Sequence, residues 1–381
     1  MEYCKKISYS ILNAPFDSSF EVMVDALLAQ LSKDKAVLRI VIFGMPISNQ
    51  EYVERKLILM DRMRNYFGNS MPAISYVAQP SLDNGLIAEV HSYEKEDIDE
   101  LLFCSYQSIP YIILNNPQGR FLFASGFQSD VVSESIAEQS VQVFKQIEKL
   151  LELEGFPIDS IVRQWNYIEN ITGFQSGYQN YQALNDKRGE FYAKATWTKG
   201  YPAATGIGAS FGGILIDFDA VLLTDSSCYI TAIDNKMQVA AHEYSEQVLV
   251  IEESLQPTKA TPKFERAKSL SFEDQGVIYV SGTAAIRGEE SLLDVGLAKQ
   301  LHITMENIAY LIEKDKLETI GVSCSKEPVL KLIRVYLKEK SFVDEAKVLI
   351  DAYELNIPVS YLWANVCREE LLIEIEGMAT Y

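Results

Sequence analysis

Positive charge is scarce in this sequence of 381 residues. Lysine and arginine together number 34, against 53 aspartate and glutamate residues, and the formal net charge is −19. Nucleic acids and anionic membrane surfaces are bound through a basic footprint, so neither is expected as a partner. A small anion is still compatible with this balance if a few arginines are focused into one cleft.

Motifs that hold metals or nucleotides are also missing. The three histidines, His91, His242 and His302, are far apart, and none has a cysteine or histidine neighbour at ligand spacing. There is no Walker loop and no GxGxxG motif between a strand and a helix. The sequence therefore predicts neither a metal site nor a cofactor.

Cysteine pairs and long apolar runs are absent as well. The five cysteines are scattered and odd in number. No stretch reaches the roughly 18 apolar residues of a membrane helix, and the first residues lack the pattern of a signal peptide. These absences predict a reduced, cytoplasmic protein.

What the sequence does contain is a repeat. Gly126 and Gly282 each end an apolar strand, and each is followed by an amphipathic helix, an apolar strand, a second helix and a proline. The same number of residues separates Gly126 from Pro202 and Gly282 from Pro358. Two further strands follow each proline, which predicts two copies of one ββαβαββ unit.

A shorter copy precedes these two. LRIVIFGMPIS (38–48) is expected to match the strand that ends in glycine, and residues 67–93 the proline and the last two strands. Gly44 and Pro72 are much closer together than their counterparts. We therefore expect the middle of this first unit to have been lost or replaced.

The repeat predicts an α+β chain of three units, of which the first is degenerate. A sheet with helices on one face must bury its other face, and three such sheets can do so around a pseudo-threefold axis. A chain that carries all three units needs no partner to close the ring, so a monomer is expected. The predicted units are 1–104, 105–250 and 251–381.

The last unit resembles the RidA/YjgF fold, which is chorismate-mutase-like. The resemblance is carried by VSGTAAI (280–286), ENI (306–308), VYL (335–337) and LLIEIEGMA (371–379). Proteins of this fold form trimers with a cleft at each subunit interface and hydrolyse reactive imines. That activity uses an arginine two residues after a proline, where this chain has Ile74, Ala204 and Ser360.

Over about residues 160–381 the chain more specifically resembles the chorismatase family. The matching segments are VRQWNYIENI (162–171), YQALNDKRGEFY (181–192), GYPAATGIGA (200–209), AHEYSEQVL (241–249), TPKFERA (261–267), VSGTAAIRGEES (280–291) and EIEGMA (374–379). Chorismatases are three-unit RidA-like enzymes that remove pyruvate from chorismate. The resemblance implies chorismate as the substrate and 3-hydroxybenzoate as the favoured product. The alternatives are hydrolysis to a dihydroxycyclohexadiene carboxylate, a RidA-like imine deaminase and a ligand-binding module.

Glu374 is the acid that this chemistry implies. An enol ether is cleaved after protonation of its methylene carbon, and Glu374 matches the acid of the family. Strand alternation puts Glu376 on the same face, and the equivalent positions are expected at Asp217 and Ala88. An aromatic, partly dehydrated cleft would raise the pKa of Glu374. The alternative is that these carboxylates face water.

Cys367 and Ala284 are the expected walls of the ring pocket. Cysteine at this position is typical of family members that form hydroxybenzoate, and the small Ala284 lets a ring approach the strand. The alternative for Cys367 is a small residue buried in the core.

Arginines are expected to hold the two substrate carboxylates. Arg266, before a strand, and Arg188, on a helix, are the main candidates, since guanidinium groups bind carboxylates in a bidentate geometry. Surface or core ion pairs are the alternative, above all for Arg163. The segment around Pro202 adds three candidates for a carboxylate or hydroxyl contact, namely Tyr201, Thr205 and Gly206.

Overall fold

The computed structural model describes residues 2–17, 19–129, 134–175, 177–245 and 260–381. Within these ranges the chain forms three large sheets with helices packed against them, as expected for an α+β protein. In the same ranges, every helix is too short or too polar to cross a membrane.

The first sheet has four strands in the order β1-β4-β2-β3. The elements of this first unit are α1 (Tyr3–Lys6), β1 (Ile7–Ala14), α2 (Phe20–Leu28), β2 (Ala36–Phe43), α3 (Asn49–Phe67), β3 (Ala73–Val77) and β4 (Leu86–Tyr93).

The second sheet has six strands in the order β11-β8-β12-β7-β6-β5. Its unit comprises β5 (Glu100–Tyr106), β6 (Ile109–Asn116), β7 (Gly119–Gln128), α4 (Ile136–Glu154), β8 (Ile161–Glu169), the short β9 (Phe174–Gln175) and β10 (Tyr178–Gln179), α5 (Asn180–Tyr192), β11 (Ala203–Ala209) and β12 (Ile214–Leu223).

The third sheet also has six strands, in the order β13-β14-β15-β20-β18-β19. Its unit comprises β13 (Cys228–Ile233), β14 (Ala267–Phe272), β15 (Gln275–Ala284), the short β16 (Ile286–Arg287) and β17 (Glu290–Ser291), α6 (Leu297–Leu311), α7 (Lys314–Thr319), β18 (Val329–Leu337), α8 (Val343–Asp351), β19 (Val359–Trp363) and β20 (Ile373–Thr380).

Strand pairing moves the limits of the units relative to the sequence prediction. The second sheet already begins at Glu100, before the predicted limit at residue 105, and β13 pairs with β14 of the third sheet. The predicted limit between 250 and 251 lies outside the described residues. We retain the division into three units as a proposal, with these sheet limits.

The elements of the two longer units form where the sequence pattern predicts them. The apolar stripe of α4 is buried against its sheet, and Ser135 and Glu138 close a capping box at its first turn. After each second helix a proline precedes a strand that runs parallel to the strand before the helix, as in β8–β11 and β18–β19. A parallel pair requires such a crossover, so the spacing of helix and proline fixes the topology.

The expected alignment inside the first unit was wrong. Residues 38–48 contain β2, which pairs in parallel with β3 after Pro72, so β2 matches β8 and β18 and not the strand that ends in glycine. That role falls to β1, which pairs with β4 as β7 pairs with β12. The middle of the unit is therefore present. Among the described residues, α1 precedes β1, whereas two antiparallel strands precede β7 and β15 in the other units.

The three sheets share one core. Each sheet packs a separate apolar cluster against its own helices, and a further cluster joins the other faces of all three. Val41 from β2, Trp165 from β8 and Tyr336 from β18 are buried together in this shared cluster. Burial of these faces against one another provides the main apolar contribution to assembly of the units.

Three buried ion pairs cross between the sheets in the centre of this core. Each joins an arginine of one unit to a carboxylate of another, with all side chains at most 3% exposed. The three guanidinium groups lie within 6 Å of the Trp165 ring centroid, at 4.7, 4.6 and 5.7 Å. The pairs are Arg39–Asp219, Arg163–Glu376 and Arg334–Glu89.

Removal of one of these cations should destabilise the whole chain. Arg334 binds Glu89 at 2.6 Å and Glu376 at 2.9 Å, so Arg334→Met leaves two buried carboxylates without that cation. We expect the free energy of unfolding to fall by roughly 3–5 kcal/mol. Denaturant unfolding measures this loss. The control Arg62→Met removes a half-exposed pair with Asp25 and should cost less than about 1 kcal/mol. Equal losses in the two variants would contradict the prediction.

Candidate functional site

A pocket lies between α5 of the second unit and the strands β15 and β20 of the third. Its empty space, including the part open to solvent, is about 650 Å³. Its walls are aromatic and polar in alternation, with Tyr181 and Asn185 from α5 and Tyr244 and Phe264 from the segments before β14.

Glu374 on β20 lines this pocket and is only 4% exposed. Burial raises its pKa, and the neighbouring charge of Glu376 raises it further; Arg163 and Arg266 offset part of this, which leaves a pKa of about 8. No hydrogen bond joins the Glu374 carboxyl to another described residue. The side chain is therefore a neutral acid at pH 7 with its proton available to a ligand.

The acidic residues at the equivalent positions of the other two units are occupied by hydrogen bonds or ion pairs. In the three sheets, the residues directly opposite Arg39, Arg163 and Arg334 are His91, Asp219 and Glu376. The residues two positions before these on the same strands are therefore equivalent to one another, and they are Glu89, Asp217 and Glu374. The first of these is thus Glu89, and not Ala88 as expected from the sequence. Glu89 is paired with Arg334, and Asp217 accepts bonds from Ser75 Oγ (2.6 Å) and from the Gly126 N–H (2.8 Å).

A different bonding pattern leaves Glu374 open. The Gly282 N–H, which corresponds to that of Gly126, donates to Thr205 Oγ1 at 3.0 Å, and Thr205 in turn donates to Glu376. Neither donor is then left for Glu374. A Cβ on Gly282 would come within 2.1 Å of Glu374 Oε1, so the missing side chain makes the room for this carboxyl.

Two arginines line the pocket around the Tyr244 ring. The Arg266 and Arg368 guanidinium carbons lie 5.5 and 5.2 Å from its centroid. Arg266 donates to Tyr244 Oη (2.6 Å) and to the Val239 carbonyl (2.7 Å), whereas its Nε is buried without a partner. Among the described residues neither arginine has a carboxylate partner, so both charges are available to an anion in the pocket.

Arg188 lies behind the α5 wall of the pocket and does not line it. The side chain is 1% exposed, donates to the pocket residue Asn185 at 2.7 Å and has a buried Nε without a partner. It too has no carboxylate partner among the described residues. This buried cation is the third arginine that adds to the positive potential of the pocket.

The structure thus brings four of the sequence-predicted residues together. Glu374, Cys367, Arg266 and Ala284 all line the pocket. Burial, followed by the nearby Glu374, raises the pKa of Cys367 to about 12, so its thiol is neutral and serves as a polarisable wall.

Arg163 and Thr205 were predicted to bind substrate, but the structure places both outside the pocket. Arg163 donates to Thr205 Oγ1 at 2.8 Å and forms an ion pair with Glu376, in the core that supports β20. The core ion pair that was the alternative for Arg163 is the arrangement found. Both residues contact Glu376, which lies two positions from Glu374 on the same face of β20, so position along the strand, and not the face of the sheet, separates them from the cleft.

Tyr201 and Gly206 also lie outside the pocket. The Tyr201 ring stacks on Tyr192 with centroids 5.9 Å apart, and its N–H donates to Glu265. Gly206 acts on the pocket indirectly, because a Cβ there would come within 2.8 Å of the Tyr181 ring that forms one wall.

Arg368 is the main residue that the sequence interpretation missed. It directly follows Cys367, and its Nη1 donates to the Glu289 carbonyl at 2.8 Å, which holds the guanidinium at the pocket wall. The only signal was its position beside a candidate wall residue. Tyr244 and Phe264 lay inside quoted motifs, but nothing in the sequence indicated that they meet in space.

In the part of the chain that the structure describes, histidine, cysteine and carboxylate side chains form no group suited to a metal ion.

Comparisons with a family model, with known proteins and with solved structures all find similarity to the same group of proteins. The family model "Chorismatase FkbO/Hyg5-like, N-terminal" matches residues 113–220. A 3-hydroxybenzoate synthase from Streptomyces hygroscopicus is 31% identical over 234 residues, which cover 59% of this chain and 65% of that protein. A chorismatase from Streptomyces rapamycinicus is 29% identical over 248 residues, which cover 64% and 70%. The matched region thus spans about two thirds of these relatives.

The overall fold has a close counterpart among solved structures. A crystal structure of a chorismatase superposes with a TM-score of 0.70 over 98% of both chains, at 20% sequence identity. The likeness extends through the first unit, where the sequence resemblance is loose.

The protonation of Glu374 should be visible in the pH dependence of stability. The folded state keeps the proton up to about pH 8, whereas the unfolded chain releases it near 4.5, the ordinary pKa of a glutamate. Wild-type stability therefore falls, relative to Glu374→Gln, as pH rises through this window. We expect a relative change of roughly 1–4 kcal/mol in the free energy of unfolding, measured by denaturant titration at about pH 5 and pH 9. The exposed control Glu190→Gln should show no such trend, and a flat difference for Glu374→Gln would contradict the assignment.

Proposed function

We propose that this chain, which is related to the chorismatases in sequence and in fold, is itself a chorismatase that releases pyruvate from chorismate. The observation that carries the proposal is the combination of one neutral acid with buried guanidinium groups that lack carboxylate partners among the described residues. Chorismate presents two carboxylates and an acid-labile enol ether, and so requires these two features together. The substrate-binding and catalytic roles given below are part of the proposal.

Glu374 is the general acid. Its proton goes to the terminal methylene carbon of the enol-pyruvyl group, and the electron pair of the C=C bond forms the new C–H bond. The resulting oxocarbenium ion faces the Glu374 carboxylate, whose negative charge stabilises it. In the hydrolytic branch, water attacks the cationic carbon and gives a proton back to Glu374, and the hemiketal that results breaks the bond between this carbon and the ether oxygen, which leaves pyruvate and a ring hydroxyl. In the hydroxybenzoate branch, the bond between the ring carbon and the ether oxygen breaks, and its electron pair completes the carbonyl group of pyruvate. The neighbouring ring hydroxyl bonds to that ring carbon and gives its proton to Glu374, and opening of the resulting epoxide, with loss of the ring proton and protonation of the oxygen, restores the aromatic ring.

Arg266 and Arg368 hold the substrate carboxylates in this scheme, and Arg188 adds charge from behind α5. Guanidinium groups stacked on Tyr244 are fixed in orientation, so that they present paired N–H donors without reorganisation. The focused cations also explain how a chain of net charge −19 attracts a dianion.

Cys367 and Ala284 bear on the product. The atoms of chorismate divide into pyruvate and a hydroxybenzoate with no water added, whereas the dihydroxycyclohexadiene carboxylate takes up one water. The cysteine at 367 and the similarity to a relative named 3-hydroxybenzoate synthase favour 3-hydroxybenzoate. The dihydroxycyclohexadiene carboxylate is the alternative product of the same site.

The imine deaminase alternative is disfavoured by three positions. The residues two places after Pro72, Pro202 and Pro358 are Ile74, Ala204 and Ser360, and none is the arginine that this activity uses. A ligand-binding module with the same pocket is the other candidate, and turnover separates it from an enzyme.

The direct test is incubation with chorismate. We expect pyruvate release, measured with a coupled lactate dehydrogenase assay, and 3-hydroxybenzoate in the chromatogram. Glu374→Gln should lose at least about a hundredfold in kcat, as expected for removal of a general acid, while it still binds chorismate. Activity of the wild type should fall as pH rises past about 8, where Glu374 loses its proton. Absence of pyruvate with retained chorismate binding would leave the binding-module alternative.

Loss of either pocket arginine should act mainly on binding. A charge-assisted hydrogen bond contributes about 1.5–3 kcal/mol, so Arg266→Gln and Arg368→Gln should each raise KM for chorismate roughly ten- to a hundredfold. Steady-state kinetics measure the change. The control Arg120→Gln affects a cation that packs on Phe156 and does not line the pocket, and it should leave KM unchanged. A pocket variant with unchanged KM would remove that arginine from the scheme.

A further inference from the structure

A second, larger cavity lies between the first and second units. It holds about 1360 Å³ of empty space, including the part open to solvent, about twice that of the pocket around Glu374. One wall is the α3 surface with Val53, Leu57 and Met60, and the other is formed by β7 and the turn between β5 and β6.

This cavity has the same place in the architecture as the first pocket. The first pocket lies between the crossover helix of one unit, α5, and the glycine strand of the next, with Gly282 and Ala284 on β15. The second lies between the crossover helix α3 and the glycine strand β7, with Gly126 and Gln128. Repetition of the unit therefore builds the same kind of cleft twice.

The chemistry of the two clefts differs at the acid. Both oxygens of Asp217 are bonded, to Ser75 and to the Gly126 N–H, and the side chain is fully buried behind the wall. No neutral acid faces this second cavity from that position. The cavity is therefore equipped to bind a molecule and not to protonate it.

The lining defines the class of ligand. Val53, Leu57, Met60, Ile74, Ile109 and Pro110 form an apolar cleft that suits a ring. At the mouth, Arg64 is exposed and has no ion-pair partner among the described residues. The partly exposed Gln146 also lines the cavity; its Nε2 donates to the Gln128 carbonyl, and its Oε1 is buried without a donor among the described residues. A buried acceptor of this kind is satisfied by a ligand hydroxyl.

We propose that this cleft between α3 and β7 is a second, non-catalytic binding site for a small hydroxylated aromatic carboxylate. The carboxylate pairs with Arg64, the ring packs on α3, and the hydroxyl donates to Gln146 Oε1. The ligand class is that of the product proposed above, but the site is defined by binding and does not depend on turnover.

Isothermal titration calorimetry with 3-hydroxybenzoate tests this site in the full-length protein. Arg266→Gln/Arg368→Gln weakens the first pocket, and in that double variant we expect one binding event per chain to remain. Addition of Arg64→Gln or Gln146→Leu should weaken the remaining event roughly tenfold, the equivalent of one hydrogen bond or ion pair to a charged group. Arg62→Gln, on the same helix but paired with Asp25, is the matched control and should change nothing.

Benzoate separates the role of Gln146 from a general structural effect. It lacks the hydroxyl, so it should bind the double variant more weakly than 3-hydroxybenzoate does, and Gln146→Leu should abolish this difference. Electron density for the ligand between α3 and β7 in soaked crystals would support the same conclusion. The proposal is overturned if all binding disappears in Arg266→Gln/Arg368→Gln, or if Arg64→Gln and Gln146→Leu leave the remaining affinity unchanged. Neither result depends on whether chorismate is cleaved.

Discussion

The three ion pairs around Trp165 are the constraint on which the rest of the structure depends. Arg39, Arg163 and Arg334 each form an ion pair with a carboxylate of a different unit. The side chains of all three pairs are buried. Removal of one partner leaves an uncompensated buried charge, so the units are penalised for any arrangement that breaks a pair. The apolar faces provide the driving force for association, and the ion pairs select one relative placement. Because both cavities lie between units, this placement also sets their shape.

The same network accounts for the special state of Glu374. Glu376 is two residues away on the same side of β20 and is paired with Arg163 and Arg334 in the core. Its charge, added to burial, raises the pKa of Glu374 to about 8. Thr205 occupies the Gly282 N–H that would otherwise be offered to the carboxyl, as the Gly126 N–H is to Asp217. A change in hydrogen bonding, and not in fold, therefore separates Glu374, whose carboxyl has no hydrogen-bond partner among the described residues, from Asp217, whose two oxygens both accept hydrogen bonds.

A strongly acidic chain thus presents arginine side chains at two clefts. Net charge describes the average surface, whereas a ligand in a narrow cleft responds to the few groups within a Debye length, about 8–10 Å at physiological salt. In the first pocket these groups are Arg266, Arg368 and, behind α5, Arg188. In the second cavity Arg64 stands at the mouth of an apolar cleft. The repeat supplies the cleft each time, and the residues that differ between copies decide what the cleft does.

The sequence by itself determined the element order and the repeat, and it singled out Glu374 as the candidate acid. These features are properties of short segments, and tertiary structure does not change them. They are the amphipathic stripe of α4, the prolines before β11 and β19, and the alternation that places Glu374 and Glu376 on one face. It misjudged the first unit because β2 also resembles the glycine strand, and only pairing with β3 decides between them. It assigned Arg163 and Thr205 to the pocket because the alternation of a strand does not reveal which positions along it reach a cleft. Only the tertiary structure decided which residues reach the cleft. It also decided that Arg368 and Tyr244 lie next to Arg266, because segments far apart in the sequence meet only when the sheets pack on a shared core.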